Sequence, residues 1–242
     1  NIVDAFRIPF DYDGHSCDLG ASLGIAVGTG PSEKPSQIFI NADLALYAAK
    51  NAGRGRYAFY SPAIENSAAA RLAYSQELSD AVTSGAITVF YQPQYHAKTN
   101  ALIGAEALVR WDCPRRGILG PGAFLPLADD VGITHRLDER VLDCVLADQD
   151  AWHKAGADLK RVSINLSHQR LNDKALARSI THRLKPNHNI SFELLETSFL
   201  DHPSDTIREN LAQIRALGID LELDDFGSGH ASILALQSIQ PD

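Results

Sequence analysis

Three carboxylates, a carboxamide and a further aspartate interrupt or end the apolar runs of this chain, and their types point to metal-assisted chemistry at phosphorus. Glu106 breaks the run 102–111, Asn165 stands late in 161–167, Glu193 lies inside 190–196, and Asp224-Asp225 end 219–225. A single carboxylate in an apolar strand is ordinarily a buried acid satisfied by a basic partner. Several at one rim, unneutralised, repel one another and take up protons near neutral pH. Divalent cations remove that conflict, and a Glu/Asn/Glu/Asp set of oxygen donors suits Mg²⁺ or Mn²⁺. Adjacent aspartates at a turn can serve two metals, a usual device for in-line displacement at phosphorus. Turn chemistry alone is the competing reading of 224–229, since Asp favours turns and Gly227 and Gly229 tolerate positive φ.

A site of this kind needs strands that end together. Strands are expected at 87–93, 102–111, 161–167, 190–196 and 219–225, and helices at 124–130, 138–156, 172–184 and 204–218. Strand–helix units repeating at about thirty residues indicate an α/β fold with a parallel sheet. The carboxyl ends of such strands form one face, and that face carries the site. Upstream, 18–28 reads as a short strand with Ile25 and Val27 on one side, and 57–60 as another. Between them 41–50 reads as a helix, with Asn41 as its cap and Leu44, Tyr47 and Ala48 at helical spacing. The Ala- and Glu-rich stretch 65–82 reads as a helical connector.

Composition narrows the partners. The 242 residues carry a net charge of −8 without a basic cluster, which argues against DNA or RNA as a ligand. Cys17, Cys113 and Cys144 form no C-x-x-C pair, so neither a disulfide framework nor a zinc knuckle is expected, and a cytoplasmic setting is natural. No apolar run approaches the roughly 18 residues of a membrane span, although an anchor elsewhere stays open. The chain has no methionine, which suggests an internal piece of a longer protein. Trp111 and Trp152 read as packing groups, and Arg115-Arg116 as turn charge.

Six segments in order carry a resemblance to a known family. Tyr91-Gln92-Pro93, Glu106-Ala107-Leu108-Val109-Arg110-Trp111, Phe124-Leu125-Pro126-Leu127-Ala128, Asn165-Leu166-Ser167, Glu193-Leu194-Leu195-Glu196 and Asp224-Asp225-Phe226-Gly227-Ser228-Gly229 resemble the EAL-domain phosphodiesterases of cyclic di-GMP. The resemblance implies a TIM-type (β/α)8 barrel whose first strand runs against the others. It implies that Glu106, Asn165, Glu193 and Asp224 ligate metal and that Asp225 serves the second metal, with Glu106, Asp224 and Asp225 catalytic. Arg110 would grip a phosphate, Gln92 and Leu108 would line the pocket, and Glu196 would steady the loop after Asp225. The family usually has Thr where this chain has Leu195, and an aromatic where it has His230.

The upstream part resembles the closing third of a GGDEF domain, the diguanylate cyclase fold, through 21–26, 42–50 and Gly53-Arg54-Gly55-Arg56. The expected organisation is therefore a fragment of an α+β GGDEF domain over 1–62, a linker helix over 63–84, and an EAL domain from 85 to 242 that is incomplete at its C-terminus. Five strands of eight are legible, and a family lysine and glutamate that help activate water would lie beyond Asp242. The resemblance implies hydrolysis of cyclic di-GMP to linear pGpG, with an inactive cyclic di-GMP receptor as the rival and a cyclase with a silent EAL domain as a third reading. A homodimer and an upstream sensor or regulatory domain are further expectations from the resemblance.

Overall fold

In a computed structural model the described residues are 2–28, 30, 34–157, 159–195 and 204–224, and they divide between Gln76 and Glu77 into two units. In the first, α1 (Ile2–Ala5) precedes an antiparallel hairpin of β1 (Phe10–Tyr12) and β2 (His15–Cys17). β3 (Leu23–Ile25) then pairs in parallel with β4 (Tyr57–Phe59) across the helix α2 (Pro35–Asn51). Gly24 sets that packing. A Cβ there would lie 2.0 Å from the Ala42 carbonyl oxygen and 2.2 Å from the Leu46 nitrogen, so α2 rests directly on the strand backbone.

Three upstream expectations need correction. Asn41 is no cap: α2 opens at Pro35, whose fixed φ suits a first turn, and Asn41 sits buried in its middle, accepting from Gln37 Nε2 at 3.0 Å. The buried stripe is accordingly Asn41, Ala45 and Ala49, while Tyr47 is exposed under the Arg71 guanidinium, 5.5 Å from its ring centroid. The strand expected over 18–28 shrinks to Leu23–Ile25, and Val27 is exposed. The long helix α3 (Pro62–Ser84) starts earlier and ends later than 65–82.

The second unit is built on β5 (Ile87–Tyr95), β6 (Leu102–Cys113), β7 (Gly117–Leu119), β8 (Val162–Leu166), β9 (Ile190–Leu195) and β10 (Asp220–Asp224). They form one sheet in the order β10-β9-β8-β6-β5, with β7 paired to β6. β6, β8, β9 and β10 are mutually parallel, and β5 runs antiparallel to β6. β7 is an addition to the expected set, and Arg115-Arg116 lie in the turn that leads to it. The helices are α4 (Leu125–Asp130), α5 (Thr134–Lys154), α6 (His168–Leu171), α7 (Leu176–Thr181) and α8 (Asp205–Ala216). The single helix expected over 172–184 reduces to α7, because Asp173 accepts from the Ala175 amide at 2.8 Å and closes a local turn instead.

Apolar strand residues face the helices. Ile164, Phe192, Leu194 and Leu221 pack with Val145 and Leu146 of α5, Ile180 of α7, and Ile207, Leu211 and Ile214 of α8. The alternate residues are mostly polar, and the fully buried serines among them pair with each other: Ser191 Oγ donates to Ser163 Oγ at 3.1 Å. The sheet therefore has an apolar, helix-covered face and a polar one. Phe192 anchors the first, so Phe192→Ala should lower the unfolding free energy by about 3–5 kcal/mol. Urea denaturation would read this as a lower midpoint at unchanged m-value.

Candidate functional site

Side chains alternate along a strand, so the residues opposite the core follow directly from the register. β6 supplies Glu106, Leu108 and Arg110, β8 supplies Ser163 and Asn165, β9 supplies Ser191, Glu193 and Leu195, and β10 supplies Asp220, Glu222 and Asp224. Glu106 stands opposite Ser163, Asn165 opposite Glu193, and Glu193 opposite Glu222. On antiparallel β5, Gln92 stands opposite Glu106. The backbone thus brings Gln92, Glu106, Leu108, Arg110, Asn165, Glu193 and Asp224 onto one face. Asp225 and Glu196 lie outside the described residues.

Contacts within this face are close. Asn165 Nδ2 donates to Glu106 Oε1 at 2.9 Å, so Oδ1 is the atom of this amide that could ligate a cation. Glu193 is 8% exposed, and its carboxyl is pushed up to about 7. Burial is the main cause, followed by the charges of Glu106, Glu222 and Asp224; a hydrogen bond with Ser163 opposes them. Arg110 Nη1 donates to the Val109 carbonyl at 2.8 Å, and its guanidinium lies 5.4 Å from the Phe90 ring centroid. Tyr91 points the other way, edge-on to Trp152 at 4.8 Å and donating to Asp148 at 2.6 Å, so it belongs to the packing.

Among the members of this face that sequence reasoning missed are Glu222 and Phe90. Glu222 lies 3.1 Å from Arg161 Nη1 and accepts from Ser163 Oγ at 3.3 Å. Its spacing of two from Asp224 was the available signal. Phe90, two residues before Gln92 on the same face of β5, carried the same period-two signal. Among the described residues no three His, Cys, Asp or Glu side chains converge into a closed metal-binding group. The donors present are nonetheless all oxygen, and their mutual repulsion at Glu193 is what a divalent cation would relieve. The residues fit such an ion.

The EAL domain model matches residues 75–242, and that of the diguanylate cyclase GGDEF domain matches 1–56. The chain belongs to the EAL domain family. Its fold is accordingly the TIM-barrel-like α/β fold of EAL domains, preceded by a GGDEF fragment. Among relatives, the chain is 33% identical over 98% of its length to the bifunctional diguanylate cyclase/cyclic di-GMP phosphodiesterase MucR of Pseudomonas aeruginosa, covering 35% of that protein. It is 29% identical over its whole length to the cyclic di-GMP phosphodiesterase NbdA of the same organism, covering 31% of it. The chain thus spans about a third of the length of these curated relatives. The structure of the phosphodiesterase PaMucR in complex with c-di-GMP superposes with a TM-score of 0.60 at 30% identity, covering 69% of each chain.

Towards the carboxyl ends of this EAL sheet lies a cavity of about 980 Å³, lined by Leu108, Pro121, Leu125, Asn165, Ser167 and Leu195 among others; it touches the polar face through Leu108, Asn165 and Leu195, whereas Gln92, Glu106, Arg110, Glu193 and Asp224 lie outside its lining. Its volume is at the upper end of the range usual for small-molecule sites. Asp138 of α5 also lines it and accepts from both the hydroxyl and the backbone amide of Ser167. Burial pushes the Asp138 carboxyl up to about 6; the Ser167 hydrogen bonds and the Arg170 charge pull it down, and Asp129 adds a smaller upward push.

A carboxyl whose folded-state pKa exceeds the roughly 3.9 of an unfolded Asp contributes most to stability at low pH. That contribution is lost as pH rises towards and through about 6. Metal-free protein should therefore show a smaller urea midpoint at about pH 7.5 than at about pH 5.5. Asp138→Asn should reduce this dependence and leave the part that comes from Glu193, whose carboxyl is also raised, and an unchanged slope would contradict the assignment to Asp138.

Proposed function

We propose that the full-length protein hydrolyses cyclic di-GMP to linear pGpG with Mg²⁺ or Mn²⁺. The observation that carries the reading is the shared polar face, on which Glu106, Asn165 and Glu193 lie beside Arg110 in an EAL domain. Phosphodiesterase names and a c-di-GMP complex among the relatives support it. In this reading Glu106, Asn165, Glu193, Asp224 and Asp225 hold the metals. When bound, such ions lower the pKa of water and neutralise charge that develops on the phosphoryl oxygens.

The chain's own groups do the rest. Arg110 pairs with a phosphodiester anion, and its stacking on Phe90 limits the orientations of the guanidinium. Leu108 gives the cavity an apolar wall for a base, and Gln92 offers both a donor and an acceptor. In this reading Glu196 serves the segment that follows Asp225. In the reaction a water oxygen bonds to phosphorus, the ester bond to one 3′-oxygen breaks, and that oxygen leaves with a proton.

Incubation with cyclic di-GMP and Mn²⁺ or Mg²⁺ should yield pGpG, followed by chromatography. Chelation with EDTA should abolish the product, and Glu106→Ala should lower the rate by more than about 100-fold, beyond the usual loss for a residue that only supports a metal ligand. Binding of cyclic di-GMP without metal-dependent pGpG would overturn the enzymatic reading and assign a receptor.

A further inference from the structure

Asn165 is the penultimate residue of β8, and Leu166 and Ser167 lead directly into α6, so its position depends on what holds that turn. Ser167 holds it on both sides. Its Oγ accepts from the Arg170 amide at 3.1 Å, capping α6, and donates to Asp138 Oδ2; its backbone amide also points to Asp138 Oδ2, at 3.3 Å. A serine hydroxyl has one proton to give, and here it goes to a carboxylate, the stronger kind of hydrogen bond. Leu166 between Asn165 and Ser167 is buried in the core, which leaves the segment little room to rotate.

Asp138 is itself fixed, because α5 packs against the sheet and its next residue, Glu139, is tied into the turn. Glu139 Oε1 lies 2.9 Å from Nη2 of Arg170, a side chain only 4% exposed that also bonds Asp173 and donates to Ser179 Oγ at 2.5 Å. The connection runs onward to the site. Asn165 Nδ2 reaches Glu106 Oε1 at 2.9 Å, so the turn fixed by Asp138 sets where the carboxamide presents Oδ1 beside Glu106. Asp138, Ser167 and Asn165 line the same cavity.

We infer that Asp138 and Ser167 are positioning residues for the metal site: through the β8–α6 turn they hold Asn165 against Glu106 in ligating position. This rests on the proposed function, because it concerns the metal site assigned there. Groups that orient a ligand without touching the ion are worth about 10–100-fold in metal affinity when removed. The inference therefore separates metal affinity from stability, which a merely structural polar pair would not do.

Mn²⁺ binding to the full-length protein, measured by calorimetry in the absence of nucleotide, is the test. Ser167→Ala and Asp138→Leu, which removes the acceptor shared by the Ser167 hydroxyl and amide, should weaken binding by about 10–100-fold. Ser167→Thr, which keeps the hydroxyl, should bind as the unaltered protein does. Leu176→Ala removes nearby core packing from α7 and should lose stability without losing Mn²⁺ affinity. Asp138→Leu, which keeps the bulk of the side chain, carries the test should Ser167→Ala fail to fold. In turnover assays the same variants should need more Mn²⁺ for half-maximal rate yet approach the normal rate when saturated. Unchanged affinity in folded Asp138→Leu, or an equal loss in Leu176→Ala, would overturn the inference while leaving the proposed function standing. No Mn²⁺ binding by the unaltered protein would overturn both.

Discussion

The second unit depends on a conflict between two faces of one sheet. Strand alternation that sends Ile164, Phe192, Leu194 and Leu221 into an apolar core sends Ser163, Asn165, Glu193 and Glu222 to the opposite side. Helices cover the first face, so the second must settle its own charge. It does so with Arg161 against Glu222, with the Ser163–Ser191 pair, and with Asn165 against Glu106. Glu193 is left among carboxylates with its proton affinity raised. The core thus fixes the geometry that makes the polar face chemically demanding.

This arrangement joins fold and site closely. The register that places Asn165 beside Glu193 is the same one that stacks Leu166 beside Leu194 in the core. A slip of one residue would exchange the two faces completely, burying carboxylates under helices. Core packing therefore enforces the order of the site as well as the stability of the sheet. The buried Arg170 plays the matching part on the helical side, tying Glu139 and Asp173 to the turn below Asn165.

Much of this was legible before folding, because polar interruptions of apolar strands report which side chains escape the core. Glu106, Asn165, Glu193 and Asp224 were readable in that way, and the five long strands with them. Glu222 was not, since a glutamate two places before a conspicuous Asp-Asp pair looks like strand content until β9 lies beside it. Asp138 gave no local signal at all: its partner Ser167 is 29 residues away, and only the packing of α5 on the sheet joins them. At Asn41 a favourable cap type misled, because Pro35 starts the helix two turns earlier and Gln37 satisfies the buried amide. β7 and the shortened α7 likewise follow from pairing and capping that a periodic pattern does not encode.

The reversed direction of β5 also decides where the chain enters this unit. Ile87 stands opposite Trp111 and Thr88 opposite Arg110, at the carboxyl end of β6, and only Gly85 and Ala86 separate β5 from the end of α3. In an all-parallel sheet the incoming segment would arrive at the far end from the site. Here the Ala86 carbonyl accepts from the Asp112 amide at 2.9 Å, two residues from Arg110. The last turn of α3 is consequently tied to the carboxyl end of β6, the half of that strand that bears Arg110, by two residues and one backbone hydrogen bond.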